Sequence, residues 1–121
     1  MQRFLIPFLI PLESSPRKSS LDFLISLWKS KKSFEYLEKP PAVSCIDGNF
    51  YLEDGNNRAV LFWLNRIEFI DAEVVKFSEE EIDGARRTNE IAYHENLRVK
   101  VYSPVDLAAK IKEPEKYQLK L

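Results

Sequence analysis

"YLEDGNNRAVLFWLNR", residues 51–66, is the stretch on which the fold of this chain turns. Its first part continues a run of β-preferring residues. Its second part, "AVLFWLN" (59–65), is apolar nearly all round, the pattern of a helix that must be buried. Between them stand Asp54, Gly55, Asn56, Asn57 and Arg58. Asp54-Gly55 reads as a turn and Asn56 as the cap of the following helix. Neither reading accounts for Arg58, because an arginine in a first helical turn meets the positive end of the dipole unless an anion sits there too. A glycine that allows close approach, the main-chain N–H groups of a helix start and an arginine in that turn together make an anion cradle of the kind that holds phosphate.

Upstream, "AVSCIDGNFYLEDG" (42–55) sets the tight-turn pair Asp47-Gly48 between two β-preferring runs. This predicts a hairpin of 42–46 and 50–53. Residues 56–66 are predicted helical and "FIDAEVVKF" (69–77) a strand. Ser78 and Glu81 have capping-box spacing ahead of a charged helix running to about residue 94. "LRVKVY" (97–102) alternates cleanly and reads as a short strand, and Ser103-Pro104-Val105-Asp106 starts a last helix with a cap and a first-turn proline. The tail "EKYQLKL" (115–121) reads as extended or frayed.

At the amino end, "MQRFLIPFLIPL" (1–12) is interrupted by Pro7 and Pro11 and falls far short of the ~20 residues that cross a bilayer. It reads as an edge strand. After the polar loop "ESSPRKSS" (13–20), Ser19 and Asp22 form a capping pair for a helix whose Leu21, Leu24, Ile25 and Trp28 share one buried face. A short second helix over 33–38 is stopped by Pro40 and Pro41. Strands and helices interleave without the long βαβ rhythm of a doubly wound sheet. The expectation is therefore a small single α+β domain, residues 1–121, with a mixed sheet.

At 121 residues, 45% of them hydrophobic, the chain suits one compact core. Its net charge of −1 provides no field to draw it onto nucleic acid or an anionic membrane, so an anion site has to be local. The lone Cys45 cannot form an internal disulfide and reads as a small thiol packed in a buried strand, in keeping with a cytoplasmic protein. His94, the single histidine, lacks the companion ligands of a metal site and reads as solvated. Arg86 and Arg87, flanked by acids, read as surface ion pairs, and Trp28 and Trp63 as core.

The segment "CIDGNFYLEDGNNRAVLFWLNRIEFIDAEVV" (45–75) resembles the core of the ParB amino-terminal domain and sulfiredoxin superfamily. There a strand, a short Gly-x-x-Arg-type loop, a helix and a further strand follow in that order. The resemblance implies a phosphate site lined by Gly55, Asn56, Asn57 and Arg58, with ATP or ADP and Mg²⁺ as the ligand. Members include nucleotide-hydrolysing partition proteins, sulfiredoxins and free-serine kinases. Sulfiredoxin chemistry needs a cysteine inside this loop, and none is there. Many members carry histidine or arginine immediately before the equivalent of Arg58, whereas Asn57 is neutral and cannot shuttle a proton.

A phosphotransferase also wants a carboxylate for magnesium or for the acceptor hydroxyl. Glu53 and Asp54 would project in opposite directions from a regular strand, so only one should face a ligand, and Asp54 is the catalytic candidate. Glu13 and Asp47 are weaker ones. Two functions follow as expectations. One is a nucleotide-dependent small-molecule kinase or nucleotide hydrolase. The alternative is a non-catalytic ParB-like module that binds a protein or nucleic acid, the latter disfavoured by net charge.

Overall fold

A computed structural model of the chain describes residues 1–30 and 39–119. The helix expected over 33–38 lies outside them. In chain order the elements are β1 (Gln2–Leu5), a 3₁₀ turn (Ile6–Phe8), β2 (Ile10–Pro11), α1 (Lys18–Lys29), β3 (Ala42–Ile46), β4 (Asn49–Asp54) and α2 (Asn56–Leu64). β5 (Phe69–Val75), α3 (Ile82–Arg98), α4 (Pro104–Ala109) and a second 3₁₀ turn (Pro114–Tyr117) follow. The class is α+β with a mixed five-stranded sheet, as expected, in the order β1-β5-β3-β4-β2. Among the described residues no helix is long and apolar enough to cross a membrane.

The hairpin forms at Asp47-Gly48, both with positive φ (53° and 81°), the geometry an Asp-Gly pair favours. β3 pairs antiparallel with β4 and parallel with β5, which makes it the central strand. The register runs from Ile46↔Asn49 to Val43↔Leu52 and then jumps to Ala42↔Asp54. Glu53 is thus the extra residue of a β-bulge, the kind of irregularity that re-aims a side chain.

β1 and β2 occupy the two opposite edges of the sheet, so the expected single edge strand is split. Pro7 sits in the intervening 3₁₀ turn, and Pro11 lies on an edge where no ladder donor is needed. Across a flat sheet the two edges would be about 19 Å apart, four spacings of about 4.8 Å. The five steps from Leu5 to Ile10, three of them at the 3₁₀ rise of about 2 Å, reach only about 13 Å. The sheet therefore curls, and one bent segment links its two edge strands.

α2 packs between two apolar clusters. Val60 and Leu61 join Leu21, Leu24, Ile25, Val101, Leu107 and Tyr117 on the helical side. Ala59 joins Phe4, Ile6, Val43, Leu52 and Ile70 on the sheet side. Trp28 and Trp63 pack against these clusters as expected. The opposite face of the sheet meets α3 through polar contacts. Asn89 donates to Glu53 at 2.7 Å, Arg86 to Asp47 at 2.8 Å, and Asn96 to the Pro11 carbonyl at 2.6 Å. Arg86 also pairs with Asp83 at 2.8 Å, the surface ion pairing expected of it, and His94 is exposed.

Five local readings are corrected. α1 starts at Lys18 without the Ser19 cap, because the Arg17 N–H is held at 3.1 Å by the Asn57 side chain and fixes the helix start from outside. The reciprocal Ser78–Glu81 bonds form at 3.2 Å each, yet regular α3 begins only at Ile82, three residues past the start that this cap would set, and runs on to Arg98.

Residues 97–102 are not a strand. α3 absorbs the first two, and Lys100 turns left-handed at φ 58°. The bonds Lys100 N–H to Leu97 C=O and Val101 N–H to Asn96 C=O (3.2 and 2.8 Å) make a Schellman ending. Cys45 is exposed rather than buried.

The tail is docked rather than frayed. Asn65 donates to the Tyr117 carbonyl at 2.8 Å and accepts from the Leu119 N–H at 2.7 Å. By contrast, the cap at Ser103, with Asp106 bonding back to it, forms as expected.

Tyr117 is 4% exposed and donates to Asp22 at 2.7 Å. Burial first, then the Asp22 carboxylate, push its pKa up to about 12. The hydroxyl's bond, followed by Lys18, holds Asp22 below the usual carboxylate range. A raised folded-state tyrosine value contributes stability that is complete below pH ~10 and lost as pH rises through the folded value. A lowered aspartate value contributes above pH ~4 and is lost in acid. Urea unfolding of Tyr117→Phe should show about 1 kcal/mol less stability at pH 7 and a shallower decline than the wild type from pH 10 to 12. Parallel declines would refute the assignment.

Candidate functional site

The amino end of α2 opens on a strongly polar cleft of about 210 Å³. All five residues singled out in the sequence line it: Asp54, Gly55, Asn56, Asn57 and Arg58. Gly55 adopts φ 100° and ψ 19°, a left-handed turn that lets β4 run straight into the helix. A Cβ at Gly55 would meet the Pro41 Cβ at 2.9 Å, so the close approach that this glycine allows is made by the chain's own Pro41. The first intrahelical bond runs from the Ala59 N–H to the Gly55 carbonyl at 2.9 Å. The main-chain N–H groups of residues 56–58 consequently lie beyond the helix's own ladder, at the positive end of its dipole.

The two asparagine side chains have structural work. Asn56 accepts from the Leu12 N–H at 3.2 Å and donates to the Leu52 carbonyl at 3.1 Å. Asn57 accepts from the Arg17 N–H and donates toward Glu13 at 3.5 Å. Together they clasp the loop between β2 and α1 over the start of α2. What residues 56 and 57 present to an anion is therefore main chain rather than side-chain amide.

That clasped loop brings residues to the cleft which no local pattern marked. Arg17 reaches the cleft and pairs with Glu13 at 3.0 Å, and Ser20 also lines it. In the sequence Arg17 is one residue of the polar loop 13–20. Only the long-range bonds from residues 56 and 57 place it here.

Glu53 and Asp54 both line the cleft, contrary to the strict alternation of a strand, because the bulge at Glu53 breaks that alternation. Glu53 is half-buried and accepts from the Ser44 hydroxyl at 2.5 Å and from Asn89. Asp54 is exposed. Asp47 lies away from the cleft, tied to Arg86.

Arg58 is 4% exposed, buried in the wall of this cleft. It also lines a larger apolar cleft of about 810 Å³ with Phe62, Ile67 and Ile70. The residues that line the polar cleft thus include two arginines and three acids. Among the described residues no three acids, histidines or cysteines converge as a metal site. Its volume accepts a phosphate group but falls below the 300–1,000 Å³ typical of whole-ligand pockets. A cleft of this size could take no more of ATP or ADP than the phosphate end, and magnesium would have to arrive with the phosphates. Comparison of the chain with protein-family models, curated proteins and solved structures finds no match.

Proposed function

We propose that this chain is a ParB/sulfiredoxin-like domain, acting in the cytoplasm, that binds the phosphate end of a nucleotide at the amino end of α2. One observation carries the reading. Arg58 is buried in the first turn of α2 and lines a polar cleft together with Gly55, Asn56 and Asn57, at the positive end of that helix. Donors fixed in this way bind an oxyanion without first ordering a loop. In this reading Arg58 and the main chain of residues 55–57 hold phosphate, and Arg17 supplies a second positive charge. Exposed Asp54 assists nucleotide-borne magnesium or the acceptor hydroxyl, as a small-molecule kinase or nucleotide hydrolase requires.

A second reading, a non-catalytic module of the same type, is favoured by the engagement of Asn56, Asn57 and Glu53 in bonds that hold the fold.

Thermal melts over a panel of nucleotides and inorganic phosphate, with and without magnesium, test the site. A nucleotide at a hundred times its Kd should add about 2.7 kcal/mol of stability. Arg58→Lys, which keeps the charge but not the fork, and the more exposed Arg17→Ala should each weaken binding roughly tenfold or more. Turnover that is lost in Asp54→Asn while binding remains selects the enzyme; binding without turnover selects the module. No stabilisation by any nucleotide or by phosphate at millimolar concentration would discard the nucleotide reading and leave the module that binds a protein or nucleic acid.

A further inference from the structure

A second cleft, of about 410 Å³, lies between the start of α1 and the carboxyl-terminal segment. Four lysines line it. Lys18 comes from α1, Lys110 and Lys112 from the end of α4 and just beyond, and Lys116 from the second 3₁₀ turn. Glu113 is the single acid among its lining residues. The lining therefore carries four positive charges against one negative, a local +3 on a chain whose net charge is −1. Leu21 and Tyr117, both buried, and half-buried Ile111 give the cleft an apolar floor.

The lysines are unevenly compensated. Lys18 pairs with Asp22 at 3.0 Å, and Lys116 lies 4.0 Å from Glu113. Lys110 donates to a neutral acceptor, the Ser14 carbonyl, at 2.8 Å. Among the described residues Lys110 and Lys112 have no carboxylate within ion-pair distance. Three separate segments thus bring like charges together over an apolar floor, with two of those charges left for something else to neutralise. A solvated lysine face has no need of the floor, and an apolar crevice has no need of the lysines.

We infer that this cleft is a binding site for a small organic anion carrying at least two negative charges on an apolar body, such as an aryl phosphate or an aromatic dicarboxylate. The volume lies in the range of small-molecule pockets. The body would rest on Leu21, Ile111 and Tyr117, and the charges would meet Lys110 and Lys112 at the rim. The inference does not depend on the function proposed for the α2 cleft.

Titration of the full chain by ¹H–¹⁵N NMR, with phenyl phosphate, phthalate, inorganic phosphate and neutral phenol as separate probes, tests it. Phenyl phosphate or phthalate should shift amides in residues 17–21 and 110–118. That binding should weaken several-fold between 50 and 200 mM salt, and at least tenfold in Lys110→Glu/Lys112→Glu, two exposed positions where the fold should be kept. Phenol and inorganic phosphate should each bind more weakly than phenyl phosphate. Shifts confined to residues 53–58 would assign the anion to the α2 cleft alone and overturn the inference. So would undiminished binding by the double variant, or no shift at 10 mM of either charged probe.

Discussion

Asn56→Leu is expected to lower the melting temperature by roughly 10–20 °C. The side chain is 7% exposed and bridges two main-chain groups from different parts of the fold, the Leu12 N–H and the Leu52 carbonyl. Leucine has about the same volume and neither bond. Both main-chain groups would then lose their partner, the Leu52 carbonyl in a buried setting and the Leu12 N–H in a part-buried one, at about 1–3 kcal/mol each. At about 3–5 °C per kcal/mol for a domain of this size, the middle of that sum, about 4 kcal/mol, corresponds to roughly 12–20 °C. Asn57→Leu removes the single main-chain bond to Arg17, so its cost should be about half. Calorimetry of the two variants checks both the size and the order. An Asn56→Leu protein within ~0.5 kcal/mol of the wild type would mean that the loop over α2 is not held by this clasp.

Leu61→Ala should cost about 3–5 kcal/mol, the range for truncating a fully buried leucine whose surroundings cannot collapse. Leu61 is 0% exposed, in a helix enclosed by α1, α4 and the sheet. Elements packed on several sides have little room to move into a void, which places the site toward the upper end. Leu64, on the same helix but half-buried, serves as the comparison, and Leu64→Ala should cost less than half as much. Urea denaturation should show a lower midpoint with an unchanged slope. A cost below ~1 kcal/mol would show that α2 is not the rigid support that the Arg58 proposal requires.

Where local chemistry decides the backbone, the sequence was readable. Asp47-Gly48 marked its turn, Ser103-Pro104 its helix start, and 59–65 a helix that is buried as far as Leu61 and half-buried beyond it. Where a tertiary bond substitutes for a local signal, it was not. α2 and α3 both end in Schellman turns with a long cationic residue at the left-handed position, Arg66 at φ 63° and Lys100 at φ 58°. The usual marker there is glycine. Without it, the alternation of Leu97, Val99 and Val101 passed for a strand.

The candidate site divides the same way. Residues 54–58 are contiguous, so their convergence followed from chain order alone. Arg17 and Glu13 arrive through side-chain bonds spanning 40 or more positions, and Glu53 through a bulge that no periodicity announces. Cys45 shows the limit of reading burial from a strand pattern. Val43 and Ser44 are buried beside it while its own side chain meets solvent.

The curled sheet also sets a timetable for folding. Both edge strands are made before the strands they pair with: Ile10 has no strand to join until Tyr51 has been made, and Gln2 none until Ala72. Docking the first strand means closing a loop of 70 positions, from Gln2 to Ala72, an entropic barrier that slows folding more than it alters final stability. Meanwhile Phe4, Ile6 and Leu9, all buried in the finished protein, stay uncovered on the nascent chain. The segment most prone to aggregate is thus the one that waits longest, and holdase chaperones should find their target there.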